Sequence, residues 1–130
     1  MTLSTTGTRT GKARGMDAKD VREQCLSLQG SAEEYPFGPQ VAVYKVGGRM
    51  FALLAEDDDP PSVSLKLPPD EVQALQSQYE GTVLPGYHLN KRHWVTVLLD
   101  GVLDEAEQRA LVQESYDVVV AALPKRLRPT

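Results

Sequence analysis

A two-residue glycine turn between two apolar segments is the feature that most restricts how this chain folds. Val41–Val46 and Arg49–Ala55 are rich in apolar and β-branched residues, and Gly47 and Gly48 separate them. Glycine accepts the positive φ angles that a tight hairpin turn requires, so this segment predicts a β-hairpin. Because strands joined by such a turn are antiparallel, the pattern predicts an antiparallel sheet.

A further strand, beyond the two of the hairpin, is predicted for residues 94–99. Successive side chains of a strand point to opposite faces, and here both faces are largely apolar from Trp94 to Leu99. Such a strand is typical of the centre of a sheet. The turn before it brings hydrogen-bond donors and aromatic rings to one end of that sheet: Tyr87, His88, Lys91, Arg92 and His93.

Helical spacing of apolar residues predicts three helices around these strands. The first spans residues 17–30, with Asp17 as its N-cap, and places Cys25 on its buried face. The second spans residues 68–81 and starts with proline and acids, which the helix dipole favours there. The third spans residues 104–124 and starts with a capping-box-like pattern.

Short strands at residues 63–67 and 82–84 complete the element order α-β-β-β-α-β-β-α. This order indicates an α+β two-layer sandwich of three helices on an antiparallel sheet of about five strands. The length allows one such domain, residues 16–124. Residues 1–15 have the composition of a flexible arm, and residues 125–130 form a basic tail.

Composition predicts a soluble protein of a reducing compartment, with the cytoplasm as the expected location. No apolar run approaches the ~18 residues that a membrane helix needs. Cys25 is the only cysteine, which excludes an internal disulfide and a thiol-rich zinc site. Burial in a helix disfavours Cys25 as a nucleophile. No metal or cofactor site is predicted.

Charge is distributed unevenly along the sequence. The chain has 14 lysines and arginines against 18 acids, a net charge of −4. Residues 1–15 hold three bases and no acid, and residues 125–130 hold three more bases. Residues 16–123 therefore hold 8 bases against 18 acids, or −10. This acidic balance disfavours a phosphate-binding surface over the whole domain.

Two loops carry side chains that could contact a ligand. Residues 33–39 are predicted to form a turn, and we interpret Tyr35 and Phe37 as rings that close one end of the core, with ligand stacking as the alternative. Residues 56–59 are four consecutive acids. They lack the spacing and the glycine of a calcium loop and no histidine joins them, so we interpret them as a solvated turn rather than a calcium, magnesium or iron site.

Six short segments resemble the MmcQ/YjbR family of small bacterial proteins. They are YPFG at 35–38, RMFAL at 49–53, VSLK at 63–66, PGY at 85–87, NKRHWVTV at 90–97 and SYDVV at 115–119. Arg49 departs from the lysine common in the family and keeps its charge. The resemblance implies a two-layer fold similar to the frataxin-like (CyaY-like) and secretion-chaperone-like folds. It also implies DNA binding through a proposed double wing, and no catalytic motif.

Two functions remain open for these residues. In the first, the protein is a DNA-binding module with a regulatory role, and DNA binding is weak and non-specific because the domain is acidic. In the second, the same residues form a cleft for an anionic small molecule or a peptide, with Trp94 as an apolar wall and Lys91 as an anion-binding group. An enzyme is not expected, since no nucleophile–base pair is visible. The predicted binding residues are Lys45, Arg49, Lys66, Tyr87, Lys91, Arg92, His93 and Trp94.

Overall fold

The computed structural model describes residues 15–86 and 88–129. The helices are α1 (Ala18–Ser27), α2 (Pro69–Gln78) and α3 (Glu105–Ala122), and a short 3₁₀ helix follows at Lys125–Leu127. The strands are β1 (Ser31–Glu34), β2 (Val41–Val46), β3 (Arg49–Ala55), β4 (Ser62–Lys66), β5 (Val83–Pro85) and β6 (Trp94–Leu98). None of the helices in these ranges has the length and apolar composition needed to cross a membrane. The arm predicted for residues 1–15 lies outside the described residues except for Gly15.

The strands form one antiparallel sheet in the order β1-β2-β3-β4-β6-β5. This confirms the predicted α+β fold, with six strands in the described residues instead of about five. The additional strand is β1, which pairs with β2 from Ser31 opposite Val46 to Glu34 opposite Val43. The prediction that Glu33 and Glu34 belong to a turn is wrong. Pairing along β2, rather than an apolar pattern of its own, makes this polar segment a strand.

The β2–β3 hairpin has the predicted turn. Gly47 and Gly48 have φ angles of 59° and 80°, in the left-handed region that glycine adopts without strain. The register shifts at Tyr44, and the resulting bulge adds twist to this end of the hairpin. The Leu123 side chain and the Leu127 carbonyl lie against Gly47. The hairpin turn therefore packs on the segment that follows α3.

The main core lies between the sheet and its helices. α1 and α3 pack against each other and on the sheet, and α2 packs beside β5 and β6. Cys25 on α1 is fully buried, as predicted. The Phe51 ring meets the Tyr116 ring edge-on at 5.4 Å and 86°. Ser115 on α3 accepts a hydrogen bond from the Lys66 amide at 2.8 Å and donates one to the Phe51 carbonyl at 2.6 Å, which fixes α3 to β3 and β4.

Tyr35 and Phe37 do not close the core. Their exposed fractions are 44% and 68%, so this prediction is wrong. The error follows from β1, because the chain leaves this edge strand and returns to β2 on the outside of the molecule instead of crossing the end of the core. Phe37 borders a groove that also contains residues of β3, β4 and β6.

Candidate functional site

Antiparallel pairing brings basic residues from distant parts of the chain to one end of the sheet. Arg49 begins β3 beside the hairpin turn, and Lys66 ends β4. Lys66 lies opposite Trp94, the first residue of β6. Lys91 and Arg92 come shortly before Trp94 in the chain. These strand ends therefore carry four basic residues and Trp94 of the predicted binding residues to the same side of the molecule.

The segment after α3 adds further bases to this end. Because Leu123 and Leu127 contact the hairpin turn, the 3₁₀ helix Lys125–Leu127 lies next to it. Arg128 donates hydrogen bonds to the carbonyls of Leu123 at 2.9 Å and Ala121 at 3.0 Å, which fixes the segment to the end of α3. We call these eight residues the basic end: Lys45, Arg49, Lys66, Lys91, Arg92, Lys125, Arg126 and Arg128. They are eight of the 11 lysines and arginines after residue 15.

The opposite end of the sheet collects carboxylates. The β3–β4 loop contributes residues 56–59, and the start of α3 contributes Asp104, which accepts a hydrogen bond from the Glu107 amide at 2.8 Å. The start of α1 reaches the same end, because Gly15 lies against Gly101. We call these residues the acidic end: Asp17, Asp20, Glu56, Asp57, Asp58, Asp59, Asp100, Asp104, Glu105 and Glu107. The fold thus separates charges that the sequence interleaves.

The bases of the basic end differ in how they are bound. Lys45 forms an ion pair with Glu34 at 3.0 Å. The Lys91 ammonium donates a hydrogen bond to the Gly86 carbonyl at 3.1 Å. The side chains of four others form no ion pair with a carboxylate of the described residues, and all four are exposed: Arg49, Arg92, Lys125 and Arg126.

Five of the predicted binding residues border two hollows of the described part of the chain. Arg49, Lys66 and Trp94 border a hollow of about 170 Å³ beside the end of α3. Lys91 and Arg92 border a separate hollow of about 400 Å³ against the first turns of α2. The two hollows share no residue. Within the described residues, the bases that border these hollows therefore form two parts of the basic end.

Burial and backbone hydrogen bonds fix the residues at the start of β6. Trp94 is only 7% exposed. The His93 amide donates to the Asn90 carbonyl at 3.2 Å, and the His93 carbonyl accepts from the Leu67 amide at 2.8 Å. His88 has a φ of 60°, an uncommon value for a residue other than glycine. The predicted contribution of Tyr87 lies outside the described residues.

One carboxyl near the basic end binds its proton unusually tightly. Glu71, in the first turn of α2, faces Glu114 of α3, and the hydrogen bond between these two carboxyls, together with burial, raises the pKa of Glu71 to about 7. The pair therefore carries less negative charge near neutral pH than two separate carboxylates. Burial raises the pKa of Cys25 to about 12, which removes its thiolate from chemistry at neutral pH.

Sequence reasoning missed a further concave surface, which is distinct from the two hollows and lies on the face of the sheet opposite the main core. This groove has a volume of about 580 Å³. Leu53, Ser64 and Thr96 lie in one row of paired residues across β3, β4 and β6 and line its floor. Alternation in β4 could have placed its serines on one face, but only the strand order shows that they meet Leu53 and Thr96. The described residues contain no group of His, Cys, Asp and Glu suited to a metal ion.

Comparison with known sequences identifies relatives of the whole domain. The sequence model of the YjbR family matches residues 26–118. The uncharacterized protein YbdF of Escherichia coli O157:H7 is 39% identical over 92 residues, which are 71% of this chain and 75% of YbdF. The uncharacterized protein YjbR of Escherichia coli strain K12 is 34% identical over 113 residues, which are 87% of this chain and 95% of YjbR.

Two solved structures share the fold. The crystal structure of the Deinococcus radiodurans protein DR2400, with a domain named DUF419, is 36% identical with a TM-score of 0.83, over 89% of this chain and 88% of that protein. A crystal structure of a Pseudomonas syringae protein is 26% identical with a TM-score of 0.68, over 79% of this chain and 98% of that protein. The family match runs from α1 into α3, and the chain therefore belongs to the YjbR family, as the resemblance of its motifs predicts.

Proposed function

We propose that the basic end binds the phosphate backbone of duplex DNA. The observation that supports this function is the separation of charge along the sheet, which concentrates eight bases at one end. Lysine and arginine side chains that neutralise phosphates release counterions, and this release supplies most of the affinity of non-specific DNA binding. Exposed bases without carboxylate partners are the groups best suited to this role.

The acidic end does not oppose such binding strongly. β3 has seven residues and separates the two ends. At ~3.3 Å per residue, the acidic end is roughly 20 Å from the hairpin turn, more than two Debye lengths of ~8 Å at physiological ionic strength. A phosphate at Arg49 therefore experiences the nearby bases much more than the distant acids. Asp70, beside Lys91 and Arg92, is the carboxylate closest to the proposed contacts in this hollow.

The two parts of the basic end suit the two sides of a DNA groove. Arg49 begins β3 and Arg92 precedes β6, and β4 lies between these two strands. Two strand spacings are ~10 Å, close to the ~12 Å width of the major groove. The hollow at Trp94, with about 170 Å³, is small for the anionic ligand of the alternative function, because ligand pockets usually have ~300–1,000 Å³. The hollow at Lys91 and Arg92, with about 400 Å³, is within this range, but it also contains the Asp70 carboxylate, which repels a small anion. The geometry favours phosphates spread over a surface.

We expect weak binding without sequence specificity. The basic end offers phosphate contacts, but the helix that it contains, Lys125–Leu127, is a single 3₁₀ turn and is too short to fill a groove and contact base edges. Non-specific complexes of this kind have dissociation constants on the order of 10⁻⁴–10⁻⁶ M at physiological salt. The slope of log K against log salt is negative, and removing one base that neutralises a phosphate lowers its magnitude by ~0.9.

Fluorescence anisotropy of a labelled duplex at several salt concentrations tests this function. The double variant Arg49→Gln/Arg92→Gln should bind about thirtyfold more weakly and lower the salt slope by about 1.8. The matched control Lys19→Gln/Arg109→Gln makes the same change in net charge at the starts of α1 and α3, beside the acidic end, and should bind like the wild type. Equal losses in both variants, or binding that is insensitive to salt, would contradict the proposal.

A further inference from the structure

The face of the sheet opposite α1 and α3 contains two adjacent rows of paired residues. One row runs from Val43 through Leu53 and Ser64 to Thr96. The next row contains Val41, Ala55, Ser62 and Leu98. Val43 is buried but does not belong to the main core cluster. These rows therefore form a second apolar surface on the same sheet.

The dimensions of the groove on this face suit a flat molecule. Its floor crosses β2, β3, β4 and β6. Three strand spacings make it ~14 Å wide, and the two rows are ~7 Å apart along the strands. The volume of about 580 Å³ then corresponds to a depth of ~6 Å. This space accommodates a molecule of two or three rings and lies within the usual range for ligand pockets.

The polar groups of the floor suit a ligand with one hydrogen-bonding group. Ser64 and Thr96 share a hydrogen bond of 2.9 Å between their hydroxyls. Ser62 also lines the groove, and the residue is only 8% exposed. A ligand atom in the groove would be within reach of these hydroxyls.

The rim of the groove is aromatic on one side and acidic at one end. Phe37 stands 68% exposed beside the apolar floor, where a ligand would cover it. His88, in its left-handed conformation, is also part of the lining; such conformations cluster at ligand sites. Asp58 closes one end and belongs to the four acids of the β3–β4 loop. The rim therefore disfavours an anionic ligand at this end.

We propose that this groove binds a flat, ring-containing amphipathic molecule that is neutral or cationic and carries one hydrogen-bonding group. The site is separate from the basic end, although Met50 borders both the groove and the hollow at Trp94. Its ligand class differs from the anionic molecule that the sequence predicts, because the apolar floor and Asp58 replace the lysines as the recognition groups.

Two dyes with the same aromatic skeleton test the proposal. N-phenyl-naphthylamine is neutral with one N–H group, and anilinonaphthalene sulfonate adds a negative charge. The fluorescence of both dyes rises in apolar surroundings. We expect saturable binding of one neutral dye per protein, about threefold to tenfold tighter than that of the sulfonate. Asp58→Asn should reduce this difference. Absence of saturable binding, or a preference for the sulfonate, would overturn the proposal.

Phe37→Ala is the variant that examines the rim, and Tyr35→Ala is its matched control. Both rings are exposed and belong to the same loop, but Tyr35 does not line the groove. Phe37→Ala should weaken binding of the neutral dye about tenfold. Tyr35→Ala should change the affinity for this dye less than about twofold. Equal effects of the two variants would overturn the proposal.

Methyl NMR of the wild-type protein locates the dye. The neutral dye should shift the methyl signals of Val41, Leu53 and Leu89, which line the groove. Shifts confined to methyl groups of α1 and α3 would overturn the assignment. Duplex binding by Phe37→Ala, measured in parallel, should equal that of the wild type, so the two proposals can fail independently.

Discussion

The basic end and the acidic end of the sheet differ more in net charge than the first and second halves of the sequence do. The same strands carry Arg49 and Lys66 at one end and the acids of the β3–β4 loop at the other. Bases at the basic end come from five segments between Lys45 and Arg128. Net charge, −4 for the chain, therefore gives little information about which ligands each end attracts.

The difference also concerns how each end is held together. At the acidic side Arg22 of α1 bridges Glu33 of β1 and Glu56 of the β3–β4 loop. At the basic end the hairpin turn packs on Leu123, and several bases remain unpaired with described carboxylates. Close packing around Gly47, rather than ion pairing, holds the turn there. A substitution that disrupts the packing at Gly47 therefore tests how the basic end is held together.

The largest effect is expected for Gly47→Val. The left-handed φ of 59° strains valine, and a Cβ atom at Gly47 would meet Leu123 Cδ1 at 2.5 Å and the Leu127 carbonyl at 3.1 Å. We expect a loss of about 3 kcal/mol in the free energy of unfolding. Gly48→Val is the control, because φ is 80° but no atom lies within 4 Å of the added Cβ; strain alone should cost ~1–2 kcal/mol. Urea unfolding measures both, and equal losses would contradict the packing at Gly47.

A smaller effect concerns the carboxyl pair beside the basic end. The pKa of Glu71 is raised from 4.5 to about 7, so the folded protein binds a proton that the unfolded protein releases over this range. The free energy of unfolding therefore falls as pH rises from 4.5 to about 7. After solvent screening we expect a change of about 1 kcal/mol.

Glu71→Gln should remove most of this pH dependence, as followed by urea unfolding across the same range. The control is Glu80→Gln, which alters an exposed glutamate beyond the end of α2. A pH profile of Glu71→Gln that matches the wild type would show that the two carboxyls share no proton.

The smallest expected effect is the difference in duplex binding between two bases of the basic end, one with an ion-pair partner and one without such a partner among the described residues. Arg49→Gln should weaken duplex binding about fivefold at physiological salt, because the neutral side chain no longer neutralises a phosphate. Lys45→Gln should weaken binding less than about twofold, since Lys45 already pairs with Glu34. Anisotropy titrations of the two variants compare them directly. A larger effect of Lys45→Gln would show that the ion pair opens on binding.

Local signals in the sequence predicted the elements that depend on local chemistry. Gly47 and Gly48 specify their turn through backbone conformation alone, and Cys25 lies on the apolar side of a helix with clear periodicity. β1 was not predicted, because its four residues gain their conformation from pairing with β2. Phe37 was misplaced for the same reason, since its position depends on where β1 joins the sheet.

The site depended on information that the sequence does not contain locally. The sequence predicts five of the eight residues of the basic end as binding residues, but their meeting requires the strand order and the contact between Gly47 and Leu123. Residues 125–130 were recognised as a basic tail, and only packing joins them to the hairpin. The groove required knowledge of which sheet face the helices cover. Register and layer arrangement, rather than composition, determine both surfaces.

The most direct test of the charge separation is an NMR titration of isotope-labelled protein with a short DNA duplex. We expect amide signals to shift at residues 47–49, 66, 91–94 and 125–128, and the shifts should diminish as salt is added. Signals of residues 56–59 and 100–107 should remain unchanged. Shifts centred on the acidic end, or an unchanged spectrum at low salt, would contradict the claim that the fold gathers its bases into a DNA-binding surface.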